Sequence, residues 1–448
     1  MTRGFYPVVL ACMAGALACI PFHAAGLAAA FFVVGILALA VEDLRALLVL
    51  AFPLYGLGGA LASVVLIEGG AYISEQFRFG FNIGASGGLA AYSLAFIGLA
   101  HFGVTAALRS VRAAQLDITG LKFVIVTGCL GMAAFFAVVF ARYGTAFGYT
   151  DLRFGWGRSL PPLVEDLYLS TVFLIPTVFG LAGFVWAYTR RLHGWFVVLA
   201  LPVVAQVLTG EKFSGFASSL TMGLTGAGVA WYLRGHRISV RPAALVWAGG
   251  VAAALLASVL VGYRNLRSGD LLASLSNRIV LQGHVWFGIF DQFAGRPSVG
   301  VGELVRETTL DRPGGLDYLS LLISNPSYVQ ERLARGVTFT MGGPPSALAA
   351  FGLAGGLVIY GALGLGFVLI ARLLATSLGH GRVVAAGAAM LYFMVLVQMT
   401  QMGRWDVFYG PAAIACYAVF AAGALWRYFQ QPPRASVREA HPAPQLQN

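Results

Sequence analysis

A histidine and an aspartate in one apolar stretch could carry acid–base chemistry. His284 and Asp291 lie within residues 276–292, and their spacing of seven places them on the same face of a helix. An imidazole changes its charge near neutral pH, so His284 is a candidate general base that takes a proton from a hydroxyl group, with Asp291 as its acidic neighbour. The alternative is a structural histidine at an interface, hydrogen-bonded to a backbone carbonyl.

The same stretch contains a cation that needs an anionic partner. Arg278 lies among apolar residues, where an unpaired charge is costly, and a guanidinium group can bind a phosphate through two parallel hydrogen bonds. On a helix, Arg278 lies about 120° and Gln282 about 160° around the axis from His284. A continuous helix points these side chains in different directions, whereas a break at Gly283 allows a single site.

A short polar turn provides a second set of candidates. Residues 210–214 connect two apolar runs and contain Glu211 and Lys212. Glu211 is the second candidate base, and Lys212 is a candidate ligand of an anionic lipid head group. Any tight turn also requires glycine and polar residues, so an ordinary solvated turn is the alternative.

Arginines outside these two segments are further candidate ligands of phosphate. Arg153, Arg158 and Arg264 lie in segments that we expect on the outer side of a membrane. A lone arginine there also anchors a helix by extending its charged end to the head groups. Arg404 and Asp406 are expected to form a local ion pair at the interface rather than a site.

No metal centre or cofactor is predicted. The four cysteines lie in apolar runs without CxxC spacing, and the short outer loops lack a carboxylate pair spaced like metal ligands. There is no GxxxxGK[ST] motif and no strand–helix GxGxxG motif. The sequence therefore predicts chemistry without a bound nucleotide or metal.

The composition indicates which elements must position these residues. Apolar residues make up 58% of the 448 residues and charged residues only 10%, whereas a soluble domain has about 25% charged residues. This excludes a soluble enzyme, a disordered protein and a nucleic-acid-binding domain. A helix that crosses a bilayer needs about 20 mostly apolar residues. The chain is therefore predicted to be an all-α polytopic membrane protein.

Twelve runs with few charges predict about 12 membrane helices. They are 4–22, 24–41, 46–67, 86–108, 123–141, 167–189, 194–210, 213–233, 242–263, 346–371, 383–403 and 407–426. The predicted organisation is nine helices within 1–263, a large outer loop at 264–345, three helices within 346–426 and a polar tail at 427–448. The stretch 276–292 is expected to lie at the outer membrane surface or to fold back over the bundle.

The basic residues predict the orientation. With the N-terminus in the cytoplasm, the inner segments carry 15 basic residues and the short outer loops carry six. This asymmetry agrees with the positive-inside rule. Both termini are therefore predicted to be cytoplasmic, with large third and fifth outer loops at 142–166 and 264–345.

This layout resembles the Wzy-type O-antigen polymerases, also called oligosaccharide repeat-unit polymerases. The turn from Leu208 to Phe213 is similar to a Gly-x-basic turn of that family. The stretch from Arg278 to Asp291, the Gly-Gly-Pro-Pro-Ser turn at 342–346 and the following Phe351-Gly352-x-x-Gly355 are similar to its long loop and re-entry into the membrane. The resemblance covers most of the chain as topology.

The resemblance implies a glycosyltransferase of the bacterial inner membrane. Such an enzyme joins undecaprenyl-pyrophosphate-linked repeat units of an O-antigen, capsule or exopolysaccharide on the periplasmic face. Positive charge then stabilises the pyrophosphate leaving group, and a base assists the acceptor hydroxyl. Implied partners are the lipid-linked glycans, membrane lipids, a flippase and a chain-length regulator, with no nucleic acid and no cofactor.

Two other function classes remain open. An O-antigen ligase shares this architecture and differs mainly in its acceptor. A 12-helix transporter or flippase of polysaccharide precursors has a similar number of spans, but such proteins usually have internal repeats and charged or interrupted helices at mid-membrane. The two halves of this chain show no repeat, and its spans are almost free of charge.

Overall fold

The fold is that of an all-α, multi-pass membrane protein. A computed structural model describes residues 4–111, 116–149, 153–210, 213–235, 277–293, 296–306, 313–334 and 341–430. In chain order the α-helices are α1 (Tyr6–Ala18), α2 (Ala25–Val49), α3 (Ala51–Glu68), α4 (Ala85–Arg109), α5 (Ile118–Tyr143), α6 (Arg153–Ser159), α7 (Pro162–Thr189), α8 (Ala200–Leu208), α9 (Phe213–Leu233), α10 (His284–Phe293), α11 (Val301–Val305), α12 (Gly315–Ile323), α13 (Pro326–Ala334), α14 (Gly343–Gly379), α15 (Val383–Met402) and α16 (Pro411–Gln430). One hairpin of two short strands, β1 (Tyr72–Ile73) and β2 (Arg78–Phe79), connects α3 to α4.

Seven of the described helices are long and apolar enough to cross a membrane. They are α2, α3, α4, α5, α7, α14 and α15. The segments Tyr6–Ala18, Gly194–Leu208 and Pro411–Ala424 are shorter apolar helices. The predicted span 242–263 lies outside the described residues, so the total of 12 stays a prediction.

Helix α2 is longer than its predicted span because it continues through a kink. The prediction ended this helix at residue 41, but it reaches Val49, with an extended backbone at Asp43 (φ −158°, ψ 95°). The Asp43 carboxylate accepts hydrogen bonds from the Arg45 backbone N–H (3.1 Å) and the Tyr232 hydroxyl (2.8 Å). These bonds stabilise the chain where the regular helical bonds are interrupted.

The helix after the long outer loop begins earlier and ends later than predicted. The prediction placed Pro344 and Pro345 at the end of the loop, whereas α14 begins at Gly343 and contains both prolines in its first turn. A proline fits there because the first turn has no intrahelical acceptor for its N–H. Helix α14 then kinks at Gly352, whose carbonyl accepts a hydrogen bond from the Tyr92 hydroxyl (3.1 Å).

The stretch that contains His284 folds back over the helix bundle. Helix α10 packs against α3, α4, α12 and α14. The indole N–H of Trp286 donates to the carbonyl of Ala85 at the first turn of α4 (2.8 Å). Following the predicted orientation, we call the side that carries α10 the outer side. Of the two predicted placements, the fold over the bundle is confirmed.

The predicted orientation can be tested by labelling single cysteines. Ser159 and Ser298 are exposed in segments predicted to be outer, and Ser110 is exposed at the predicted inner end of α4. We expect a membrane-impermeant thiol reagent to label Ser159→Cys and Ser298→Cys in intact spheroplasts, and Ser110→Cys only after lysis. The four native cysteines are buried, which keeps the background low. Labelling of Ser159→Cys and Ser298→Cys only after lysis would reverse the topology.

Candidate functional site

Two outer segments that are far apart in sequence meet on the outer side. The β1–β2 hairpin and its turn pack against the segment 277–293. Three side-chain contacts join them: Ser74 Oγ to Asn277 Oδ1 (2.9 Å), Gln76 Nε2 to the His284 carbonyl (3.0 Å) and Arg78 to Asp291 (2.7 Å). We call this group the outer cluster; it comprises Ser74, Glu75, Gln76, Arg78, Asn277, Arg278, Gln282, His284, Asp291 and Tyr328.

His284 is held in the form that a general base requires. Its Nδ1 lies 3.0 Å from the carbonyl oxygen of Leu281. A carbonyl only accepts hydrogen bonds, so Nδ1 carries the proton, and in the neutral ring Nε2 carries the lone pair. A purely structural histidine would also make this hydrogen bond to a backbone carbonyl. The same bond orients the ring so that Nε2 is the atom that could accept a proton. The side chain is only 1% exposed.

Asp291 does not pair with His284. Both residues belong to α10, but seven residues of helix separate them by about 10 Å along the axis, which is too far for a direct hydrogen bond. The carboxylate instead forms an ion pair with Arg78 NH1 at 2.7 Å, and both side chains are partly exposed to solvent. Asp291 is therefore a partner of the hairpin in this structure.

Arg78 is a member of the cluster that the sequence did not indicate. Its Nε donates to Gln76 Oε1 (2.9 Å), and its guanidinium group lies over the rings of Phe287 (5.3 Å) and Phe81 (5.7 Å). These contacts, with the Asp291 ion pair, fix the cation in one position. A single arginine in a short loop is typical of a membrane anchor, so its position in the sequence alone did not indicate a site.

The apolar stretch is not one continuous helix, which settles the question left open at Gly283. Residues 277–280 are helical, residues 281–283 form a turn, and α10 begins at His284. A Cβ atom on Gly283 would lie 2.7 Å from the Ala60 carbonyl oxygen of α3, so only glycine allows this approach. Because of this break, the 120° separation calculated for a straight helix does not apply. Arg278 is exposed and Gln282 is half-buried.

Glu75 is a second acidic group that the sequence analysis missed. It lies in the hairpin turn and is only 1% exposed. The Ser74 hydroxyl donates to one of its oxygens, and the Tyr328 hydroxyl lies 3.5 Å from the other. The cluster thus places one buried carboxylate, one buried imidazole and two arginines within a single outer region.

The remaining predicted site residues are placed elsewhere or are not described. Arg153 and Arg158 belong to α6, which packs against α7 in the third outer loop, and their side chains lie outside the described part. Glu211, Lys212 and Arg264 also lie outside the described residues. The predicted local pair of Arg404 and Asp406 is confirmed, with Nε 2.9 Å from Oδ1. Among the described residues, no group of three or more His, Cys, Asp or Glu side chains could hold a metal ion.

A comparison with known protein families matches the C-terminal part of the chain. Residues 309–426 match a family of unknown function (DUF6418). The matched region contains α12 to α15 and most of α16, whereas the hairpin and α10 lie outside it. No curated protein and no solved structure matches the chain. Over its C-terminal part, the chain is therefore similar to a family whose function is unknown.

Proposed function

We propose that this protein is a membrane glycosyltransferase that polymerises undecaprenyl-pyrophosphate-linked oligosaccharide units on the periplasmic face of a bacterial inner membrane. The observation that carries the proposal is the outer cluster, which combines an oriented imidazole with two arginines beside the ends of apolar helices. A lipid pyrophosphate presents its anionic group at the depth of the head groups, next to such a cluster. The resemblance in topology supports the same function.

The reaction assigns a role to each group. The hydroxyl oxygen of the acceptor unit attacks C1 of the reducing-end sugar of the growing chain. The bond between C1 and the phosphate oxygen breaks, and its electron pair leaves with undecaprenyl pyrophosphate. His284 Nε2 takes the hydroxyl proton. Arg278 and Arg78 stabilise the negative charge that develops on the leaving group. The bond energy of the lipid pyrophosphate drives the transfer.

In the proposed cycle the hairpin moves away from α10 to give access to His284. The imidazole is buried, and Gln76 of the hairpin donates to the carbonyl of the same residue. An incoming pyrophosphate competes with the Asp291 carboxylate for Arg78, because both are anionic acceptors of the same guanidinium group. In the proposed cycle this competition releases the hairpin from α10 and opens the path to the base.

The proposed function is tested with the purified protein in liposomes. Lipid-linked single repeat units are supplied on the outside, and the products are separated by size. We expect a ladder of lipid-linked oligomers together with released undecaprenyl pyrophosphate. Units that cross the bilayer unchanged would indicate a flippase, and transfer only to a lipid A core acceptor would indicate a ligase. Either outcome would overturn the polymerase assignment.

Replacement of His284 separates its catalytic role from its structural role. The amide of an asparagine can still donate to the Leu281 carbonyl in the manner of Nδ1, but it supplies no base at the position of Nε2. We expect His284→Asn to fold normally and to lower the single-turnover rate by about 10²–10⁴-fold. Binding of the lipid-linked donor should change little. Glu211→Gln is the comparison: loss of turnover in that variant, with normal turnover in His284→Asn, would make Glu211 the base.

A further inference from the structure

We infer that the β1–β2 hairpin is a membrane anchor whose outward face is embedded in the lipid head-group region of the outer leaflet. The partner is the bilayer itself. This surface is distinct from the outer cluster, because the two use opposite faces of the hairpin. The inference does not depend on the proposed enzymatic function.

The pairing of the strands defines the two faces. Tyr72 lies opposite Phe79 and Ile73 lies opposite Arg78, so each pair shares one face of the hairpin. Ile73 is fully buried, and Arg78 contacts α10. Tyr72 and Phe79 are 45% and 68% exposed, and their ring centroids are 5.1 Å apart. One face therefore packs on the protein and the other presents an aromatic pair to its surroundings.

The hairpin lies at the depth of the membrane surface because it is attached to two membrane-crossing helices. Helix α3 ends at Glu68, four residues before β1, and α4 begins at Ala85, six residues after β2. The base of the hairpin is held directly on α3, since a Cβ atom on Gly80 would overlap the carbonyl oxygen of Ile67. The base of the hairpin is thus held at the depth of the ends of these helices.

The chemistry of the outward face fits a lipid interface. Phe22 in the neighbouring outer turn is 79% exposed, whereas the ring of Phe77 at the tip packs edge-on against Tyr328 at 5.7 Å and does not belong to this face. The two charged groups of the hairpin do not lie on this face: Glu75 is buried and Arg78 is paired with Asp291. Exposed aromatic rings without nearby charges are unfavourable in water and are typical of the aromatic belts at membrane interfaces.

The neighbouring turn provides a second observation at the same depth. The amide of Asn82 donates to the carbonyl of His23, which joins the hairpin to the turn between α1 and α2. Both turns follow the outer ends of apolar helices and both expose phenylalanine. Exposed aromatic rings therefore occur on both of these joined outer turns, as expected for contact with a bilayer.

The anchor is tested by spin labelling in lipid nanodiscs. A label on Phe79→Cys is compared with a label on Gln330→Cys, an exposed position on α13. We expect the label at position 79 to be accessible to oxygen and protected from a water-soluble nickel chelate, and the label at position 330 to show the reverse. Wild-type protein treated in the same way measures any labelling of the four buried cysteines.

Three results would overturn the inference. Equal access of the nickel chelate to both positions would place the hairpin in water. Strong dipolar coupling between labels at position 79, without preferential access for oxygen, would identify a second copy of the chain as the partner. Protection that appears only after addition of a lipid-linked oligosaccharide would show that the aromatic face binds sugar rings. None of these measurements requires enzymatic activity.

Discussion

Replacement of Gly226 by valine is expected to prevent accumulation of folded protein. Helices α7 and α9 cross through two pairs of glycines. A Cβ atom on Gly226 would overlap the carbonyl oxygen of Gly180, and one on Gly183 would overlap the carbonyl oxygen of Gly223. The backbones are therefore in direct contact, as small residues permit between membrane helices. The branched side chain of valine forces the helices apart, which costs at least the roughly 1–3 kcal/mol of an overpacked site, because the overlapping atom is backbone and cannot rotate away.

A matched glycine provides the control for this experiment. Gly131 of α5 is exposed, and no atom lies within 4 Å of a Cβ atom built on it. Gly131→Val should elute as a single peak in detergent and unfold near the wild-type temperature, whereas Gly226→Val should aggregate or be lost. A wild-type elution profile and thermal unfolding curve for Gly226→Val would contradict the close crossing of α7 and α9.

Replacement of Arg278 by alanine is expected to abolish most polymerisation while the protein still folds. The side chain is exposed on the outer side, so its removal leaves no cavity in the core. If its guanidinium group stabilises the pyrophosphate leaving group, the loss of one such donor lowers turnover by about 10²–10³-fold. Arg278→Lys should restore little, because an ammonium group does not make the two parallel hydrogen bonds of a guanidinium group. The rate is measured with lipid-linked repeat units in liposomes.

The control is an arginine on the same side of the membrane and outside the outer cluster. Arg142 lies at the end of α5 and its guanidinium group is close to the Tyr143 ring. Arg142→Ala should retain near-normal turnover, because this arginine has no contact with the outer cluster. Full activity of Arg278→Ala would remove Arg278 from the site. Arg78 would then be the remaining candidate that stabilises the negative charge on the leaving group. An equal loss in both variants would indicate a general effect of outer positive charge.

The class of fold and most of the helices follow from the distribution of apolar and charged residues along the chain. A bilayer forces the backbone to satisfy its hydrogen bonds within each segment, so a long apolar run without charges has only the helix available to it. The runs around α4, α5, α7 and α15 therefore predicted helices close to those observed. The ion pair of Arg404 and Asp406 was also predictable, because side chains that are two positions apart in a short turn lie close together.

Local patterns were less informative where several interactions compete. The apolar residues at 276–292 left both a continuous helix and a break at Gly283 open, and the structure has a turn at 281–283, where Gly283 closely approaches α3. The charged residues near position 43 indicated the end of a span, and the helical backbone is interrupted there; a further helical stretch to Val49 follows, with side chains of α4 and α9 bound to Asp43. In both cases the contacting residue lies on another helix, so it cannot be identified from the neighbouring sequence.

The composition of the candidate site depends on contacts between segments that are far apart in the sequence. His284 and Asp291 were chosen from their spacing, but the partner of Asp291 is Arg78, more than 200 positions away in sequence. The short segment between α3 and α4 contains Glu75, Gln76 and Arg78, and nothing in its sequence indicated a site. These residues join the candidate site because α3 and α4 place the hairpin against α10. Hydrophobic pattern specifies which residues enter a membrane, whereas helix packing specifies which loops meet outside it. A functional site assembled from separate loops therefore depends on that packing.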